Sequence, residues 1–317
     1  MLALACASHS PLMPNGPADD KTRQSVAEGF SKLGSFIEDF APDLAIEFAP
    51  DHFNGFFYDL MPMFCIGLEA HSVGDWGTKA GPLRVPGQVA GPMAEHLVNK
   101  GFDVAVSHRM NVDHGFVQFW ENTVGSASQI PVVPVFVNCA APPLPTFKRA
   151  RLLGEEIGRF AADLGNRVLI VASGGLSHDP PTPQLDEANG EVRERLIAGR
   201  NPPIEVRQAK EARILQIGEA AAKGDAGILP VSREWDERFL SQLAGQNLQS
   251  FDDLSMKEVV AEAGRGGPET LCWVAAMAAA SAQGPLQTEL YHYSDTQGWI
   301  AGMAILSGHN ISEPGSQ

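Results

Sequence analysis

A chain of 317 residues with 44% hydrophobic and 19% charged side chains has the make-up of a globular protein, long enough for one large α/β domain or two small ones. Its formal net charge of −15 argues against nucleic acid and anionic membranes as partners, since both are bound by clustered Lys and Arg. No run reaches the roughly 18 apolar residues of a membrane span. The scattered cysteines Cys6, Cys65, Cys139 and Cys272, with no C-x-x-C pair among them, fit buried reduced thiols in a cytoplasmic enzyme.

The first half alternates strand and helix patterns. Leu2–Ala7 is a short apolar run followed by a Pro/Asn/Gly-rich loop. Lys21–Phe40 places Val26, Phe30, Leu33, Ile37 and Phe40 at helical spacing, which predicts an amphipathic helix ended by Pro42. Leu44–Ala49 reads as a second strand, and a long loop rich in aromatics and methionine runs from His52 to Pro86. Gln88–Lys100 is a helix stopped by Gly101.

Phe102–Ser107, Val132–Val137 and Arg167–Ala172 are further strands, with a helix over Phe147–Leu164. Strands spaced by helices predict a parallel or mixed sheet covered on both faces, a three-layer α/β sandwich. From Asp186 to Ala282 the pattern turns helical, with helices predicted at Glu205–Lys223, Ser255–Ala263 and Pro268–Ala282. Gln287–Tyr293 and Trp299–Leu306 read as closing strands, and His309 as part of a polar tail. No repeat or low-complexity linker divides the chain, so one domain over residues 1–317 with a helical insertion in its C-terminal half is expected.

Four histidines mark the chemistry. His9 stands in Ser8-His9-Ser10-Pro11, His52 in Pro50-Asp51-His52-Phe53-Asn54-Gly55, His114 in Val112-Asp113-His114-Gly115 and His178 in Gly174-Gly175-Leu176-Ser177-His178. In an open α/β sheet, ligands bind at the rim formed by strand ends of one polarity. Four imidazoles converging there suffice for a metal centre plus an acid/base pair. Taken singly, a histidine beside Ser and Pro is equally a loop residue, and Asp51-His52 equally a hydrogen-bonded turn.

Together, in this order and at these separations, the four segments resemble the class III extradiol ring-cleaving dioxygenases. Phe53–Asp59, Leu152–Phe160 and Trp273–Ala276 extend the likeness over nearly the whole chain. The resemblance implies a mononuclear Fe(II) held by His9, His52 and Glu269. Two imidazoles and one carboxylate leave three adjacent positions open, enough for a bidentate catecholate and O2. Glu269 follows Pro268 in a first helical turn, where an acid also complements the helix dipole. The resemblance further implies that His178 is the base for a substrate hydroxyl and His114 the acid for ring opening. An imidazole of pKa about 6.5 can do either near neutrality.

Asp113 is read either as a partner that orients a catalytic histidine or as a cap for the following turn. Gly174 and Gly175 are read as a close approach to a ligand or as a tight turn. The implied substrate is a catechol, foremost 3-(2,3-dihydroxyphenyl)propionate and its cinnamate analogue, with O2 as co-substrate. The side-chain carboxylate calls for Arg or Lys, and Arg84, Arg109 and Lys79 lie in suitable loops. No G-x-G-x-x-G fingerprint calls for a dinucleotide. The family likeness also implies a homo-oligomer. A 2-aminophenol dioxygenase shares the iron logic, and a zinc hydrolase could use the same ligands, although H-E-x-x-H is absent.

Overall fold

A computed structural model describes residues 1–310. Helices on both faces of a mixed sheet build the sandwich, which begins with β1 (Leu2–Ala7), α1 (Asp20–Phe40) and β2 (Leu44–Ala49). Asp19 starts α1 by accepting from the Thr22 N–H at 2.7 Å, and Ala41 ends it in the left-handed region just before Pro42. The stretch expected to be one loop contains three short strands, β3 (Phe64–Gly67), β4 (Ala70–Ser72) and β5 (Gly81–Pro82). Next come α2 (Gly87–Asn99), β6 (Ala105–Ser107), β7 (Met110–Val112), α3 (His114–Thr123) and β8 (Val132–Val137).

The second half opens with α4 (Phe147–Asp163) and β9 (Val168–Ser173). The helical insertion then supplies α5 (Gly190–Ala198), α6 (Ile204–Ala221), α7 (Arg233–Ala244) and α8 (Met256–Ala263). A 3₁₀ turn at Gly267–Glu269 leads into α9 (Thr270–Ala280), and β10 (Leu286–Thr296) and β11 (Ala301–Asn310) close the chain. His309, expected in a polar tail, lies instead in β11, paired with Ala3 of β1, and is exposed as expected.

The main sheet has strand order β10-β11-β1-β9-β2-β8-β3-β6. Its centre, β1-β9-β2-β8, is parallel, whereas β3 and β11 run antiparallel to their inner neighbours. Every residue of β1, β2, β8 and β9 is buried, as parallel strands covered on both faces require. One face packs on α2, α4, α7 and α9, the other on α1 and α3. A separate three-stranded sheet, β5-β4-β7, stands beside it. No helix of the described residues is long and apolar enough to cross a membrane.

Helix α9 is buried on every side, so its sequence shows no amphipathic period. It lies against α4 at a close approach that only glycine permits. A Cβ on Gly154 would fall 2.0 Å from the Ala275 carbonyl oxygen, and one on Gly158 would fall 2.2 Å from that of Ala279. This seating fixes the N-terminus of α9, and with it Glu269.

Candidate active site

The parallel register brings the strand ends together. Ala7 pairs with Ser173 across β1 and β9, and Phe48 with Ala172 across β2 and β9. His9 therefore leaves β1 beside the end of β9, and its Nδ1 lies 3.0 Å from the Ser173 hydroxyl. His52 leaves β2 in a turn held by Asp51, whose carboxylate accepts from the N–H groups of Asn54, Gly55 and Phe56. Both rings face one cavity, as do His114, His178 and Glu269.

His114 reaches that cavity by a different route. It does not leave a strand of the main sheet; it follows β7 of the small sheet and opens α3. Residues His114–Trp120 are all buried, and the helix spans only ten residues, too few for its period to stand out in the sequence. The His114 Nδ1 lies 2.6 Å from Asp75 Oδ2, and its backbone N–H donates to Asp75 Oδ1 at 2.8 Å. Sequence reasoning missed Asp75, because the two residues are 39 apart and meet only through the β4–β7 pairing.

Asp113 does both of the things open to it. Its Oδ1 accepts from the Gly115 N–H at 2.9 Å and caps α3. Its Oδ2 accepts from the His52 N–H at 2.8 Å and lies 3.1 Å from His52 Nδ1. Asp113 does not itself line the cavity, so it acts through His52. Gly174 and Gly175 likewise serve the site indirectly: the Gly175 N–H donates to Glu269 Oε2 at 2.8 Å.

Glu269 sits at the junction of the 3₁₀ turn and α9, where unpaired N–H groups favour an anion. Its Oε1 lies 3.2 Å from both His52 Nε2 and His178 Nε2, and its Oε2 3.8 Å from His9 Nε2. Ligands at right angles on one small cation stand about 3 Å apart, so His9, His52 and Glu269 fit a three-donor metal site. His9, His52 and His114 also place one nitrogen each within 4.8 Å of the others, which makes an all-histidine set the geometric rival. We favour the carboxylate. Asp113 and Ser173 hold the Nδ1 atoms of His52 and His9, turning both Nε2 atoms inward, and Glu269 supplies the anion that two neutral imidazoles lack.

The electrostatics follow from this packing. Burial disfavours a charged His9, which neighbouring Glu269 only partly offsets, and its pKa falls to about 3. Burial also opposes protonation of His52 and His178, yet Asp113 and Glu269 outweigh it at His52 and Glu269 does so at His178; both rise. Burial opposes ionisation of Glu269, but His178, His52 and His9 around it hold its carboxyl well below the usual range.

Of the cations expected to meet a substrate carboxylate, Arg84, Arg109 and Lys79 are all exposed away from this cavity. Those loops were chosen on local polarity, which carries no information on where a loop packs. The cations that do line the cavity are Lys210 of α6 and Arg265, both from the helical half.

With this geometry in place, comparison with known proteins is decisive for the family. The family model described as the catalytic LigB subunit of aromatic ring-opening dioxygenase matches residues 3–304. The chain belongs to this family. Among similar LigB-type relatives is a 2,3-dihydroxyphenylpropionate/2,3-dihydroxicinnamic acid 1,2-dioxygenase of Rhodococcus sp, 47% identical over 98% of this chain and 99% of that one. A protein of the same name from Photorhabdus laumondii is 42% identical over 99% of both chains. The LigB match leaves the hydrolase alternative without support. A crystal structure of an uncharacterized Escherichia coli K12 protein aligns at TM-score 0.54 and 12% identity, covering 96% of this chain and 99% of that one, a likeness of fold alone.

Proposed function

We propose that this protein is an Fe(II)-dependent extradiol dioxygenase that opens the ring of 3-(2,3-dihydroxyphenyl)propionate, and of its cinnamate analogue, to a hydroxy-oxo-dienedioate. The observation that carries the reading is the convergence of His9, His52 and Glu269 beside two further histidines, in a chain 42–47% identical to dioxygenases named for that substrate. Bound there, Fe(II) supplies a Lewis acid for the catecholate and a redox centre for O2. Both oxygen atoms end in the product, so no external reductant enters the balance.

The chain's own residues position and move protons. His178 Nδ1 lies 3.0 Å from the Leu176 carbonyl oxygen, which can only accept, so Nδ1 carries the hydrogen. Its Nε2 lies 3.2 Å from Glu269 Oε1; with that oxygen engaged by the metal, Nε2 would present its lone pair to the cavity, poised to take a proton from the substrate hydroxyl. Asp75 fixes the His114 Nδ1 in the same way, leaving Nε2 on the cavity side to hold or release the proton that ring opening needs. Trp76, Phe53, Ile214 and Trp299 give the cavity apolar walls suited to a flat ring.

Oxygen uptake and visible absorbance after anaerobic Fe(II) loading test the reading. One O2 consumed per 3-(2,3-dihydroxyphenyl)propionate, with a yellow product, is the expected result. Uptake with 2-aminophenol alone would move the substrate to an aminophenol. No uptake with either compound or with catechol, despite bound iron, would overturn the reading.

A further inference from the structure

Two neighbouring chambers share part of their lining. The inner one holds the four histidines and Glu269; the outer one is lined largely by α5 and α6. Phe53, Trp76, Pro181, Thr182, Lys210 and Ile214 belong to both, so they stand at the boundary between them. Two cations reach the inner chamber, and they differ in one respect. Arg265 is already paired: its Nε donates to Asp179 Oδ1 at 2.8 Å and its guanidinium to the Thr182 carbonyl oxygen at 3.3 Å. Burial would raise the Asp179 carboxyl, but its bonds from Arg265 and Leu229 hold it below the usual range, so this pair stays ionised and mutually neutralised.

Lys210 has no such partner. It is an exposed residue of α6 whose ammonium, among the described residues, enters no ion pair and no hydrogen bond and is held by solvent at the cavity edge. The nearest acid in sequence, Glu211, accepts from the Trp76 N–H at 3.1 Å, and the Asp75 carboxylate is engaged by His114. An unpaired ammonium at the edge of a cavity, in a protein of net charge −15, stands against the field of the whole molecule. Arg207 and Arg213, on the same helix, line the outer chamber behind it. The lining that Lys210 shares with the histidines includes the apolar Trp76, Phe53 and Ile214, available to an alkyl stem.

We propose that Lys210 binds the carboxylate of the ring substituent and selects catechols with an anionic side chain, a specificity role that rests on the ring-cleaving reading above. The ring lies beside the histidines of the inner chamber, the stem runs along the aromatic lining, and the carboxylate meets the ammonium of Lys210 at the chamber's edge. A point charge on a flexible stem suits side chains of the same length but different geometry, which is what a flexible propionate and a rigid planar acrylate require.

The test uses the Fe(II)-loaded full chain with 3-(2,3-dihydroxyphenyl)propionate and its neutral amide of the same size. Wild type is expected to prefer the carboxylate. Lys210→Met should cut that preference in kcat/KM by about 30-fold, mainly through KM, as expected for loss of one charge-assisted hydrogen bond. Lys210→Arg should restore most of it. Equal losses on both substrates, or an unchanged preference in Lys210→Met, would overturn the assignment while leaving ring cleavage intact. Oxygen uptake by wild type with neither compound would overturn both readings together.

Discussion

The strand-end rim and the helical insertion contribute to one cavity by opposite means. The rim residues His9, His52 and the β9 loop stand on strands whose every residue is buried, so their backbone is fixed by the core. Helix α6 has a single buried residue, Gly218, yet it supplies Lys210 and Ile214 to the same space. Chemistry that needs atoms held within a fraction of an ångström sits on the rigid part. Recognition of a variable side chain sits on the part with little core behind it, where local opening costs least.

Substitutions at the rim should break that division most severely. His9→Ala or His52→Ala is expected to lose bound iron and about a thousandfold or more of turnover, because each removes a donor. His114→Ala or His178→Ala should keep the iron, as measured by metal analysis, and lose roughly 10²–10⁴ in kcat, the range for a positioned acid or base. Iron loss in His114→Ala would instead favour the all-histidine ligand set. Gly266→Ala comes next. A Cβ there would fall 1.9 Å from His178 Nε2, so the ring must turn away. We expect about a hundredfold loss in kcat with iron content unchanged; near-normal turnover would show that His178 need not hold its observed position.

The two carboxylates behind the histidines sharpen the comparison further. Asp113 holds His52 and Asp75 holds His114, by bonds of the same kind at Nδ1. If His52 is a ligand and His114 an acid, Asp113→Asn should weaken iron binding about 10–100-fold, whereas Asp75→Asn should lower kcat by a similar factor at full iron occupancy. Iron titration and saturated turnover separate the two. Weakened iron binding in both variants would place His114 among the ligands.

How much of this was legible depended on where each partner lies in the chain. His9 and His52 announce themselves because strand, turn and histidine are contiguous, and the central strands β1, β2, β8 and β9 appear as short apolar runs for the same reason. Helix α3 was missed because its ten residues are too short a run for a period to stand out from the flanking loops. Strand β6 falls within the strand expected at Phe102–Ser107, but β3, β4, β5 and β7 span only two to four residues, and their pairing comes from distant segments rather than their own alternation. Asp75 and Lys210 were illegible on similar grounds: nothing local distinguishes them from solvated charges, and only the folded chain brings them to the cavity.

The smallest effect on turnover is expected where insertion and rim meet, at Asp236 of α7. Its Oδ1 accepts from the Ser177 N–H at 2.7 Å and its Oδ2 from the Tyr293 hydroxyl at 2.9 Å, anchoring the residue before His178. Burial, only partly offset by those bonds, pushes its carboxyl up to about 6. An acid with a raised pKa in the folded state binds its proton more tightly there than in the unfolded chain, where the value is about 3.9. Its contribution is therefore most favourable below pH 4, declines as pH rises to about 6, and is level above that. Asp236→Asn keeps an oxygen for Ser177 and an amide that can donate to the Tyr293 oxygen, but has no charge to bury. Relative to wild type, the variant should gain stability between pH 4 and pH 7 by up to about 3 kcal/mol, read from denaturant unfolding at several pH values. Turnover should change only a few-fold, since both backbone and ring of His178 keep their other bonds, to Ala263 and Leu176. A stability difference that is flat across that window would mean the carboxylate is stabilised as an anion, and that the loop carrying His178 is held by charge rather than by hydrogen-bond geometry.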